Sequence, residues 1–130
     1  MADELEADWK RVRVVQATGD EKRFGNQDTD GSRSTRHFFE PMRRCGAAMR
    51  AMLEAAAAAQ WGVPVSDVEA KNHEVVHKAS GKRAGYGSLA RAAAGQPVPA
   101  RDSVRLKDPS QFRYIGKGQL KLVDGQDIVT

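Results

Sequence analysis

Between Phe38 and Ala56 the apolar side chains return at steps of three and four: Phe38, Met42, Cys45, Met49, Met52 or Leu53, then Ala56. That spacing lines one face of an α-helix and cannot line one face of a strand. Ala55 to Ala59 add the strongest helix formers, and Arg43, Arg44, Arg50 and Glu54 occupy the other positions. The pattern predicts a regular helix from about Glu40 or Pro41 to Gln60. Proline suits a first helical turn and is costly deeper, so a preceding turn from Ser34 is expected to join with a kink. Gly62 and Pro64 stop the helix. A rod of roughly 30 Å is then the element on which the rest must pack.

The flanking segments read as smaller pieces. Met1 to Asp8 resembles the tail of a helix, with Leu5 among acids. Arg11 to Ala17 alternates and then turns apolar at Val12, Val14 and Val15, which predicts a strand. Residues 68–70 and 75–77 flank Asn72-His73 as a hairpin or bent strand, and Ser80-Gly81-Lys82 turns again toward residues 83–86. Ser88 can cap a short helix over Leu89 to Ala94. Gln96 to Pro109 carries Pro97, Pro99 and Pro109 among many charges and reads as a linker or extended segment, loosely ordered by itself. The expected class is α+β. One long amphipathic helix packs on a small, mostly antiparallel sheet, with a short second helix and an extended C-terminal segment. Residues 1–95 form the domain and 96–130 the linker.

A chain of 130 residues with 6% aromatics must build its core from Ala, Val, Leu and Met. No apolar run approaches the ~20 residues of a membrane span. The single cysteine, Cys45, rules out an internal disulfide and a thiolate-only metal cage, and its place beside Met42 and Met49 reads as a core thiol. His73 and His77 share one face of an extended segment with no third ligand in view, so no metal site is assigned. Arg43-Arg44 reads as a solvated pair, and Trp9 and Trp61 as packing.

Charge is unevenly spread. Residues 71–121 hold eleven Lys or Arg against three acids, whereas residues 1–9 hold four acids and no Lys or Arg. A basic half suits an anionic cofactor, an acidic protein surface or nucleic acid. The stretch lacks interleaved aromatics, zinc ligands and an RNA-recognition signature, so a small basic binding module is the alternative reading, and no nucleic acid is expected as partner.

One stretch carries the candidate chemistry. Gly25-Asn26-Gln27-Asp28-Thr29-Asp30-Gly31-Ser32-Arg33-Ser34-Thr35 has no large apolar side chain and feeds the long helix. A glycine-bearing loop at a helix start presents backbone N–H groups to an anion. Ser32, Ser34 and Thr35 add hydroxyls, and Arg33 adds a planar cation suited to phosphate. His37 lies beside it.

Three segments together resemble the molybdopterin-binding large subunit of the xanthine oxidase/aldehyde oxidase family, in its isoquinoline 1-oxidoreductase β-subunit-like branch. They are Ala2-Asp3-Glu4-Leu5-Glu6-Ala7-Asp8-Trp9 with Arg11-Val12-Arg13-Val14, the loop through Ser34, and Phe112-Arg113-Tyr114-Ile115-Gly116-Lys117 leading to Val123-Asp124-Gly125-Gln126-Asp127-Ile128-Val129-Thr130. The resemblance implies a fragment of a much longer subunit. It would begin inside a helix that follows a cofactor loop and end where a hammerhead-like domain starts. It implies that Gly31, Ser32, Arg33 and Ser34 wrap the pterin and its phosphate-bearing tail, that no protein side chain ligates the metal, and that the catalytic glutamate lies outside this chain. The implied partners are the remainder of the large subunit and an iron–sulfur or haem electron carrier. The implied parent is an aldehyde or N-heterocycle oxidoreductase, with the isolated chain inactive and binding cofactor weakly or not at all.

Overall fold

The computed structural model describes residues 1–15, 17–118 and 120. The signature from Val123 to Thr130 lies outside the described residues. A four-residue helix α1 (Glu21–Phe24) precedes the long helix α2 (Arg33–Trp61). Three antiparallel strands follow, β1 (Val68–Lys71), β2 (Glu74–His77) and β3 (Arg83–Gly85), in that spatial order, and then helix α3 (Tyr86–Ala94). The α+β class stands as read.

Helix α2 starts earlier than its apolar period suggests and runs through Pro41 without a break. Proline lacks the N–H that would bond the His37 carbonyl, a cost of about 3 kcal/mol in a helix interior. Both residues are exposed here, so water can satisfy that carbonyl. The far end closes as expected. Gly62 takes φ 66°, its N–H donates to the Ala59 carbonyl, and the Val63 N–H donates to the Ala58 carbonyl. Val63 then folds against the core.

The core lies at the C-terminal half of α2. Leu53, Ala56, Ala57 and Ala58 pack on Val68, Val75, Tyr86, Leu89 and Ala93. The register pairs Ala70 with Val75 and Val75 with Ala84, which puts these three side chains on one sheet face. The alanines let sheet and helices approach closely. Glu54 fastens the sheet to α2 by accepting the Ala70 N–H at 2.8 Å. Burial pushes its carboxyl up, against that hydrogen bond and the Arg50 charge.

The hairpin was legible. Asn72 and His73 both take positive φ, 49° and 72°, as a two-residue turn between right-twisted strands requires. His73 tolerates this because its surroundings hold it: its N–H donates to the Glu6 carbonyl at 2.6 Å, its carbonyl accepts the Tyr86 N–H, and its ring lies 4.8 Å from the Tyr86 ring. Helix α3 begins at Tyr86, so Ser88 sits inside its first turn and donates to the Gly85 carbonyl instead of capping.

Three expectations are corrected. No strand forms over 11–15 and Ala17. A 3-10 turn occupies Trp9–Arg11, and beyond it Val14 and Val15 are exposed and belong to no sheet among the described residues. Alternation supplies a strand's face but not a partner edge. Cys45 is exposed, not a core thiol, because the buried face of α2 in its first half is Gly46 and Ala47. A Cβ at Gly46 would collide with the Met1 carbonyl oxygen. Arg43 is not solvated. Its guanidinium lies 2.7 Å from a Glu4 carboxylate oxygen, which is wholly buried.

Residues 2–6 form one turn with the hydrogen bonds of a helix end: Ala7 N–H to the Ala2 carbonyl, Glu6 N–H to the Asp3 carbonyl, and Glu6 at φ 57°. Its acids are internal. Asp3 is 2% exposed and Glu4 0%. Glu4 receives Arg43 and, at 3.0 Å, the Lys107 backbone N–H, while Arg50 bonds its carbonyl. Asp3 accepts the N–H groups of Arg113, Tyr114 and Ile115, each at 3.0 Å, beside the Lys107 ammonium. Glu6 pairs with Lys107 and Arg113. The segment after α3 is extended, as read, between 3-10 turns at Arg101–Ser103 and Pro109–Gln111, but it is not loosely ordered from Lys107 to Ile115, because Asp3 and Glu4 fasten that stretch to the first turn.

Burial alone would raise the Asp3 carboxyl, but the three backbone donors and Lys107 outweigh it and hold the group below its ordinary 3.8. Its contribution to stability is complete above about pH 5 and is lost as the pH falls through 3.8 and below. Asp3→Asn should cost about 2–4 kcal/mol in urea unfolding at pH 7, with a smaller difference from the parent near pH 3. His73 is held below its ordinary 6.5, mainly by burial and then by Arg11, against the pull of Asp8. Its neutral ring is favoured by folding, so that contribution is complete above pH 6.5 and fades as the pH drops. An NMR titration should place its midpoint below 6.5.

Candidate cofactor-binding site

The polar loop has more internal structure than its composition suggests. Asp20 caps α1 by accepting the Arg23 N–H, and Gly25 at φ 71° ends it. Gln27 then bridges back. Its amide donates to the Thr18 carbonyl at 3.1 Å and accepts the Asp20 N–H at 2.9 Å. Asn26 accepts the Asp28 N–H at 2.8 Å, a side-chain turn that starts the approach to α2.

Gly31 and Ser32 both take positive φ, 45° and 58°, and turn the chain into α2. Ser32 occupies the capping position but its hydroxyl caps nothing. The Arg33 N–H donates to the Asp30 carbonyl and the Arg36 N–H to the Ser32 carbonyl. The N–H groups of Ser34 and Thr35 fall in the first turn, where a helix has no internal acceptor for them. Gly31, Ser32, Ser34 and Thr35 are all exposed. The helix therefore opens with two amides that lack internal acceptors and with three exposed hydroxyl-bearing residues.

Arg33 is the exception. Its guanidinium lies 3.3 Å from an Asp30 carboxylate oxygen and 3.6 Å from one of Asp28. The reading of Arg33 as a planar cation suited to phosphate did not include these two acids. The signal lay in the sequence as an Asp three residues before the Arg, the spacing of a helix-start pair. Asp28 and Asp30 are exposed, so the pairs are solvated and exchangeable.

Beside the helix start is a hollow of about 370 Å³ whose wall includes Ser34, Thr35, Phe38, Phe39 and Met42. It sets aromatic faces next to the amides and hydroxyls. Such a set fits a phosphate-bearing pterin in kind: donors and a cation for phosphate, flat apolar surface for a ring. No group of three His, Cys, Asp or Glu suited to a metal ion occurs among the described residues.

A family model for the molybdopterin cofactor-binding domain matches residues 1–120. The chain belongs to that family. The molybdopterin cofactor-binding domain formed here is 34% identical, over 90% of its length, to the isoquinoline 1-oxidoreductase subunit beta of Brevundimonas diminuta. It is also 34% identical, over 95% of its length, to a membrane-bound aldehyde dehydrogenase [pyrroloquinoline-quinone] of Gluconacetobacter polyoxogenes. The match covers 20% of the first relative and 16% of the second. Among the described residues no helix is long and apolar enough to cross a membrane.

Since the Arg33 pairs are exposed, Arg33→Gln should change the unfolding free energy by about 1 kcal/mol or less. A thermal melt of the variant beside the parent chain checks this, and a larger loss would make Arg33 a structural residue.

Proposed function

We propose that this chain forms one wall of the molybdopterin site in the large subunit of a molybdenum hydroxylase, with Gly31, Ser32, Arg33 and Ser34 toward the cofactor. The family match over residues 1–120 supports the cofactor class. The observation that supports the location is the helix start, where the Ser34 and Thr35 amides lack internal acceptors below an exposed Gly31-Ser32 turn. Ser32 and Ser34 hydroxyls bond the phosphate or ring edge. Arg33 exchanges Asp28 and Asp30 for phosphate, its stronger charged acceptor.

In this reading the cofactor supplies a two-electron oxidation that inserts a water-derived oxygen into an aldehyde or N-heterocycle. The chain holds and orients and contributes no catalytic residue. Electrons leave through an iron–sulfur or haem partner, and the remainder of the large subunit supplies the opposite walls. In the same reading, residues 96–130 serve as the linker that leads to a hammerhead-like domain. Within the basic stretch 71–121, Lys107 and Arg113 are committed to Asp3 and Glu6, which takes two of its eleven cations from the basic-module alternative.

A heteronuclear NMR titration of the chain with a pterin phosphate at millimolar concentration tests the reading. Weak shifts confined to amides 25–36 are expected, and Ser34→Ala should diminish them. Shifts spread over 71–121 favour the basic module. Tight binding by this chain alone contradicts the half-site, and no shift at any amide contradicts the location.

A further inference from the structure

The first half of α2 carries an apolar stripe that the described residues leave open. Phe38 is 47% exposed, Met42 46% and Met49 45%, and Cys45 between them is exposed as well. Positions 38, 42, 45 and 49 lie on one face of the helix, spanning about 16 Å. The stripe is continuous at both ends. At the helix start Phe38 and Met42 line the hollow that also holds Ser34 and Thr35. At the other end Met49 and Met52 border a second hollow of about 440 Å³, floored by Tyr86, Ala90, Ala93 and Ala94 and almost wholly carbon.

Folding does not account for this face. The core draws on Leu53, Ala56, Ala57 and Ala58, and the buried side of the first half is Gly46 and Ala47, against the Met1–Glu4 turn. A continuous exposed stripe of aromatic and thioether side chains marks a surface meant for a partner. The lengths of the two relatives bear on what that partner is. The match takes up 20% and 16% of their lengths, so most of each relative lies outside the matched segment.

We propose that the face Phe38–Met42–Cys45–Met49 is the docking surface for the remaining polypeptide of a large subunit of this family, which presents an apolar face to it. This rests on the cofactor reading and deepens it. A wall seated on Phe38 and Met42 also stands next to Ser34 and Thr35, so the same contact that covers the stripe encloses the helix start. A chain without that wall offers phosphate only one open side.

Cys45, the single cysteine of the chain, reports on this surface. Its alkylation by a maleimide is followed by mass spectrometry of the peptide that contains it. The chain alone is compared with a chimera in which it replaces the matching segment of the Brevundimonas diminuta subunit. At least tenfold slower modification in the chimera is expected. An unchanged rate overturns the proposal. Slowing with rising concentration of the chain alone assigns the face to a second copy and also overturns it. Should the chimera not fold, the double variant Met42→Glu/Met49→Glu decides: the isolated chain should keep its helicity and melting temperature, and unfolding would make the stripe structural. Pterin content of the chimera separates the two readings. Cofactor retained with Cys45 fully reactive sinks the docking face alone. Cys45 protected without cofactor sinks the site alone.

Discussion

Two carboxylates at the centre of a small protein need partners, and the fold is arranged to supply them. Asp3 and Glu4 lie side by side in the first turn, both closed off from solvent. Unpaired, each would cost several kcal/mol. Asp3 is met by three consecutive backbone N–H groups and Glu4 by a guanidinium and a fourth N–H. The helix supplies Arg43 and Arg50, seven residues apart and so on one side of α2. The extended segment supplies Lys107 and Arg113. The turn is thereby the clasp between the two, and Arg43 reaches past Glu4 to the Lys107 carbonyl at 2.6 Å.

This arrangement changes the meaning of the charge map. As a string, the chain has an acidic start and a basic second half, which suggests two surfaces for two partners. In the structure the acids and several of the bases neutralise each other. What remains outward at the start of α2 is different in character: amides, hydroxyls and a locally paired arginine, next to phenylalanine and methionine. That combination is why the helix start, and not the basic segment, is the better candidate for a cofactor.

Local signals were legible where local chemistry decides. Gly62 and Pro64 fixed the end of α2, Asn72-His73 marked the hairpin turn, and the short helix after residue 85 was found within a few residues. The loop Gly31 to Ser34 was correctly placed at a helix start, while its tie from Arg33 to Asp28 and Asp30 was missed. What failed were inferences that needed a distant neighbour. Cys45 and Met42 have helical spacing, yet periodicity says only that a face is apolar, not that it is buried. Val12 to Val15 has the alternation of a strand and no partner edge among the described residues. Asp3 and Glu4 look like solvent-facing acids because nothing near them in sequence shows three cations arriving from positions 43, 50 and 107.

The reach of that clasp has a bearing on synthesis. The partners of Asp3 lie 110 to 112 residues downstream. At roughly 5–20 residues per second, a ribosome needs on the order of 5 to 20 seconds between making the carboxylate and making its donors. The hairpin and α3 can collapse onto α2 during that interval, since they are close neighbours along the chain. Arg43, Arg50, His73 and Tyr86 can hold the first turn before then, but the Asp3 carboxylate waits for the late segment, so the nascent polypeptide passes through a stage with its hydrophobic core assembled and Asp3 still without its three donors.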